Sequence, residues 1–108
     1  MSQRSIFEIQ ADLCKCMSSA IRIEIVHVLR EGPKRVKEIA HITGHPQGTI
    51  SRHIGVLRNG GVVTAHRHAQ DVNYQIANVK IITVCDQIRE ILTEQLDQRS
   101  RMLNDWKK

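Results

Sequence analysis

The residues of this chain best equipped for chemistry lie between positions 34 and 68. Lys34, Arg35, Lys37, Arg52, Arg58 and Arg67 stand there against a single acid, Glu38. The whole formal net charge of +5 therefore sits on this third of the chain, and the rest balances. His41, His45, His53, His66 and His68, five of the six histidines, fall in the same stretch. A merely solvated basic face intersperses acids among its cations, so one acid among six points to a polyanionic partner. Gln47 and Arg52 are side-chain types that pair with adenine and guanine edges in a major groove. Thr49 and Ser51 suit phosphate oxygens, which fix register without reading sequence. Gly48 and Gly55, seven residues apart, fall on one side of a helix for which both are poor formers. Either the backbone there approaches a nucleic acid closely, or two surface positions have drifted.

A second chemistry resides in Cys14, Cys16 and Cys85. Thiolates of this kind hold arsenite or a soft metal ion, or form a dithiol that oxidises or takes up sulfur. The plainer reading is that they are small buried hydrophobes. On a helix Cys14 and Cys16 are about 200° apart, so they grip one ion only if the helix ends between them. His66 and His68, one residue apart on a strand, are two metal-ligand types but too few for a site, and DNA contact is favoured for them. No catalytic spacing, phosphate-binding glycine loop, HExxH or zinc-finger pattern is present, so no enzymatic activity is expected. An aromatic fraction of 3% argues against aromatic-lined cofactor pockets and base-stacking sheets.

These residues need elements to position them. Ser5-Ile6-Phe7-Glu8 reads as a capping box opening a helix over about 5–17, with Ile6, Ile9, Leu13 and Cys16 as its apolar stripe. Ser19 caps a second helix with Ile21, Ile25, Val28 and Leu29 inward, stopped by Gly32-Pro33. Val36 to Thr43 forms a short third helix closed by Gly44, and His45-Pro46 opens a fourth whose buried row is Ile50, Ile54 and Leu57. Ala40 allows a close helix crossing, Gly44 takes a left-handed turn, and Ile50 anchors the second helix of the pair. Together they carry helix-turn-helix spacing over about 36–58. The period then moves towards two, and about 62–76 reads as a β-hairpin with its polar tip at His68-Ala69-Gln70-Asp71. A last helix over about 79–106, some 42 Å long, carries Ile81, Cys85, Ile88, Leu92, Leu96 and Leu103. A body of about 25 Å cannot cover such a stripe, which suggests pairing with the same helix of a second copy. The expected fold is one mainly α domain over 1–108 with a small β-hairpin.

The motifs Cys16-Met17-Ser18-Ser19-Ala20-Ile21-Arg22, Val36-Lys37-Glu38-Ile39-Ala40, Gln47-Gly48-Thr49-Ile50-Ser51-Arg52-His53-Ile54, Leu57-Arg58-Asn59-Gly60-Gly61-Val62-Val63 and Val72-Asn73-Tyr74 resemble the ArsR/SmtB family of winged-helix repressors. The resemblance runs without gaps from about Leu13 to Ile76. It implies a winged helix-turn-helix with a long C-terminal dimerisation helix, a homodimer built from the first and last helices, and double-stranded operator DNA as partner. It implies DNA contacts from Gln47, Gly48, Thr49, Ser51, Arg52, His53 and Arg58, with His66, Arg67 and His68 on the wing. Where the family's thiolate site on the third helix would stand, Glu38 to Gly44 contains no cysteine. At the positions of its last-helix zinc site stand Asn78, Lys80, Ile91 and Glu94, so three of four ligand types are missing. In that fold the first helix meets the last, which leaves Cys14 or Cys16 with Cys85 as the remaining candidate for arsenite, a soft metal ion or reactive sulfur.

The reading is thus a homodimeric, sequence-specific DNA-binding repressor released by a thiol-reactive inducer. A regulator without a thiol signal, and a winged-helix module that binds protein or RNA, are the alternatives. No run of apolar residues is long enough to span a membrane, and no apolar stretch follows Met1. With an odd cysteine count, these features lead us to expect a reducing, cytoplasmic compartment and no membrane partner.

Overall fold

A computed structural model describes residues 3–106; positions 1–2 and 107–108 of the expected domain lie outside the described residues. Five helices and one hairpin follow in the order α1 (Ile6–Cys16), α2 (Ala20–Leu29), α3 (Val36–Thr43), α4 (Gln47–Asn59), β1 (Val63–His68), β2 (Asp71–Ile76) and α5 (Lys80–Trp106). This is the winged helix-turn-helix the motifs point to, with its long last helix.

Local rules account for the element ends. Ser5 Oγ accepts from Glu8 N at 3.1 Å while Ser5 N donates to Glu8 Oε1 at 3.1 Å, so the capping box of α1 is complete. Ser19 caps α2 by accepting from Arg22 N. Gly44 ends α3 at φ 79°, a left-handed conformation that a side chain would strain. Pro46 stands at the cap of α4, one residue ahead of the first turn in which the sequence places it.

The core is made by α2, α3, α4 and the start of the hairpin: Ile25, Val26, Leu29, Ile39, Ala40, Ile50, Ile54, Leu57, Val62 and Val63 are buried together with Cys16. At about 1.5–3 kcal/mol for each large side chain, this cluster supplies the burial that holds three short helices in place. The two strands pair antiparallel from Val63↔Ile76 to His68↔Asp71, leaving Ala69 and Gln70 as the turn. Ala69 sits at φ 57°, and it is the only non-glycine residue with positive φ among those described. The backbone of Lys34 pairs with Tyr74 through N–H···O bonds of 3.0 and 2.8 Å, a single-residue bridge at the free edge of β2.

The outer helices behave differently. Of the α1 stripe only Cys16 is buried; Ile6, Ile9 and Leu13 remain exposed. Over residues 80–105 of α5 only Ile81, Ile82, Cys85 and Asp86 are half-buried, and every residue from Gln87 to Asp105 is exposed. The radius of gyration of 17.5 Å exceeds the roughly 13 Å of a compact chain this size, because α5 runs past the body. No described helix is long and apolar enough to cross a membrane.

α1 is fastened to the body by its last turn. Cys16 Sγ lies 3.5 Å from Val56 O, and a Cβ on Gly60 would come within 2.6 Å of that sulfur. Gly60 is therefore required by contact rather than by its backbone angles, which are right-handed. We expect Gly60→Ala to destabilise the fold by about 1–3 kcal/mol in urea denaturation, the range for overpacking a tight site. Adding Cys16→Ala, which leaves the Cys16 Cβ at 3.3 Å as the closest atom, should recover part of that loss. Additive effects of the two changes would refute the contact as the cause.

Candidate nucleic-acid interface

The buried row of α4 decides what its other face shows. With Ile50, Ile54 and Leu57 in the core, Gln47, Gly48, Ser51, Arg52 and Arg58 are exposed, while Thr49 and Gly55 are half-buried. Gly48 and Gly55 have nothing within 4 Å of where a Cβ would stand. Packing within the protomer thus does not require glycine at either position, and the helix surface between them is open to close approach.

His53 differs from its neighbours. It is half-buried on the side of α4 turned to α2, with Nδ1 3.2 Å from Arg22 Nη1. Position 53 falls three residues after Ile50 and one before Ile54, so the helical period carries it toward the core side. Burial, then the nearby Arg22, Arg52 and His45, hold its imidazole below the usual histidine pKa.

The wing also divides its candidates. Successive strand residues face opposite sides, so Arg67, across from Val72, shares a face with Ala65, Tyr74 and the buried Val63. His66 and His68 share the other face with Thr64, Asp71, Asn73 and Gln75, and His66 Nε2 lies 3.2 Å from Thr64 Oγ1. The three wing residues grouped by the sequence reading are all exposed but do not point together.

Charge on this side of the molecule is partly committed. Arg35 is held by Glu38 at 3.3 Å and by Asp71 at 3.6 Å, which ties the start of α3 to the wing tip. The Arg35 backbone N–H and then its guanidinium keep Glu38 below the ordinary carboxylate range. Lys34, Lys37, Arg52, Arg58 and Arg67 form no ion pair among the described residues. Uncommitted cations together with an open helix face suit phosphates.

The thiols are dispersed. Cys14 is exposed and Cys16 buried, on opposite sides of a helix that runs through both. The break that would let these two grip one ion does not occur. Cys85 is half-buried where α5 meets the core. Burial raises the pKa of both Cys16 and Cys85. No group of three metal-ligand side chains lies together among the described residues.

Several contacts are not signalled by the motifs: Arg22 to His53, Arg35 to Asp71, and Lys34 to Tyr74. For Arg22 a clue exists. A cation in the first turn of α2 opposes the helix dipole, so it needs a partner elsewhere.

The model of the bacterial regulatory protein, arsR family, matches residues 19–65, which spans α2 through the first half of the wing. The chain is 33% identical over 75 residues to the HTH-type transcriptional repressor SmtB of Mycobacterium tuberculosis; the match covers 69% of this chain and 56% of that protein's own length. It is 31% identical over 88 residues to the biofilm growth-associated repressor of Xylella fastidiosa, covering 82% of this chain and 77% of that protein. Its fold resembles a homodimeric winged helix-turn-helix DNA-binding domain from Mycobacterium bovis with a TM-score of 0.75 at 26% identity, covering 89% of this chain and 94% of that one. The helix-turn-helix, the wing behind it and these matches agree: the chain belongs to the arsR family of bacterial regulatory proteins.

Proposed function

We propose that the protein is a homodimeric transcriptional repressor that binds double-stranded operator DNA. The observation that carries this reading is the exposed face of α4: Gln47, Ser51 and Arg52 beside two unobstructed glycines, with Arg52 and Arg58 in no ion pair among the described residues. Arg52 and Gln47 read base edges, Thr49, Ser51 and Arg58 hold phosphates, and Arg67 reaches the flanking minor groove, with His66 and His68 on the opposite wing face.

Dimerisation covers the apolar surface that the protomer leaves bare. Ile6, Ile9 and Leu13 on α1, and Ile88, Leu92, Leu96 and Leu103 on α5, form two exposed stripes. Pairing them across a two-fold axis sets two α4 helices about 34 Å apart, one turn of DNA. Analytical ultracentrifugation at micromolar concentration is expected to show a species of twice the 12.3 kDa chain mass. A lone 12.3 kDa species would contradict the dimer.

On DNA from the promoter of the protein's own operon, Arg52→Ala should lose about 1–3 kcal/mol for the base pair it reads and relax preference there. Arg67→Ala should weaken all sequences alike and lower the salt slope by about one. Unchanged operator affinity for Arg52→Ala at moderate salt would remove α4 as the reading helix. Binding of RNA or protein in place of duplex DNA would favour the alternative module.

Release by a thiol-reactive inducer rests on Cys85 and Cys14, because Cys16 is enclosed beneath the end of α4. Cys85 lies at the inner end of the α5 stripe, and Cys14 is exposed on α1 about 100° round the helix from Leu13, at the margin of that stripe; the reading requires a dimer that covers this margin and brings both thiols to one interface. We expect wild-type protein to leave operator DNA on addition of arsenite, cadmium or sulfane sulfur, and Cys85→Ser to bind DNA but ignore them. Fluorescence anisotropy reads both. Identical wild-type isotherms with and without each inducer would leave Cys16 and Cys85 as packing residues and Cys14 as a surface thiol.

A further inference from the structure

One guanidinium joins three elements of this fold. Arg22, on the first turn of α2, donates from Nε to Cys16 O at 2.6 Å and approaches His53 Nδ1 with Nη1 at 3.2 Å. Cys16 O is a carbonyl at the end of α1, one of the last four that a helix leaves without an internal partner. His53 lies in the middle of α4, between Arg52 and Ile54. The backbone N–H of Arg22 is fixed by the Ser19 cap, so the root of the side chain is held as well as its tip. The same end of α1 touches α4 a second time through Cys16 Sγ and Val56 O.

We propose that Arg22 is a positioning residue for DNA reading: it locks the C-terminal end of α1 to α4 and fixes the angle at which Arg52 and Gln47 are presented. Three features support this. Arg22 is half-buried on the side of α4 away from the open Gly48 and Gly55 surface, so its effect on DNA passes through His53. Its planar fork offers separate nitrogens to two acceptors on different helices, an arrangement a lysine does not reproduce. The residues that would touch DNA directly, Arg52 and Ser51, are neighbours of His53 on α4, so a rotation there moves them at once. Since α1 carries one of the stripes that a second copy covers, Arg22 also mechanically connects that interface to the reading helix.

The bond requires a neutral imidazole, because His53 accepts from Arg22. The groups facing His53 are Arg22 from α2, Arg52 on α4 itself and His45 from the turn before it, and all three disfavour a proton on it. A histidine whose folded pKa is depressed contributes stability that is complete above the ordinary value near about 6.5 and is lost as pH falls below it. Acidification therefore breaks the lock.

This inference rests on the DNA-binding reading, and the experiment separates the two. Wild-type protein selects a duplex from a random library, and binding to it and to an unrelated duplex of equal length is measured over a range of salt. Arg22→Ala should bind the selected duplex about tenfold more weakly, the loss expected for one charge-assisted hydrogen bond, with unchanged affinity for the unrelated duplex and an unchanged salt slope. Arg22→Lys should recover only part of the loss. His53→Ala should add little to Arg22→Ala, since the two act through one bond. His53→Asn, whose carboxamide oxygen replaces Nδ1 but does not titrate, should flatten the fall of melting temperature between about pH 7.5 and 5.5. Equal losses on both duplexes, a salt slope reduced by about one, full rescue by lysine, or additive losses with His53→Ala would each overturn the proposal. A wild-type protein that selects no duplex would overturn the DNA-binding reading and the proposal with it; a selected duplex that Arg22→Ala binds as wild type does would overturn the proposal alone.

Discussion

The structure depends on the burial of one apolar cluster between three helices that cannot stand alone. α2, α3 and α4 have 10, 8 and 13 residues, at or below the length at which an isolated helix is marginal in water. What keeps them helical is Ile25, Ile39, Ile50, Ile54 and Leu57, all essentially removed from solvent. Because these side chains fill one side of α4, the opposite side is free to be polar and glycine-containing. The open face of α4 is in this sense the remainder of the core.

Electrostatics then sorts the cations by task. Arg30 pairs with Asp86, which Arg89 also holds, and this cluster docks α2 against the start of α5. The hydrogen bonds from Arg30 and then Arg89 keep the Asp86 carboxyl below its usual range. Arg22 and Arg35 are likewise engaged within the protomer, whereas Arg52, Arg58 and Arg67 have no acidic partner among the described residues. Net charge alone makes no such distinction. Only the structure separates cations that brace the fold from those left without an acidic partner among the described residues.

What the sequence makes legible here is what short-range physics determines. The Ser5 and Glu8 box, the Ser19 cap, the left-handed Gly44 and the row at Ile50, Ile54 and Leu57 each depend on residues within one or two turns, and all are in place. Contacts that join distant segments are not legible: Cys16 against Gly60, Arg22 against His53 and Lys34 against Tyr74 each depend on tertiary placement. The stripe on α1 shows the same limit from the other side. Its period is read correctly, but period does not say whether a face is covered within the chain. For the wing, alternation along β1 separates Arg67 from His66 and His68, although all three are named together as wing contacts. The outward face of α4 is legible because a helix-turn-helix fixes which side is buried, although His53 turns toward Arg22 instead; the surroundings of the thiols are not, because they depend on tertiary placement.

The bare length of α5 has a consequence for how the protein persists. From Gln87 to Asp105 every residue of this helix is exposed within its own protomer, so most of its order is drawn from whatever lies against it. When that is another copy, folding becomes subject to mass action, and the melting temperature rises with protein concentration. Dilution then affects more than occupancy of a binding site: it releases a frayed helix to proteolysis. Abundance and lifetime are thereby coupled, and a cell that lowers synthesis of this chain also shortens the survival of the copies already made.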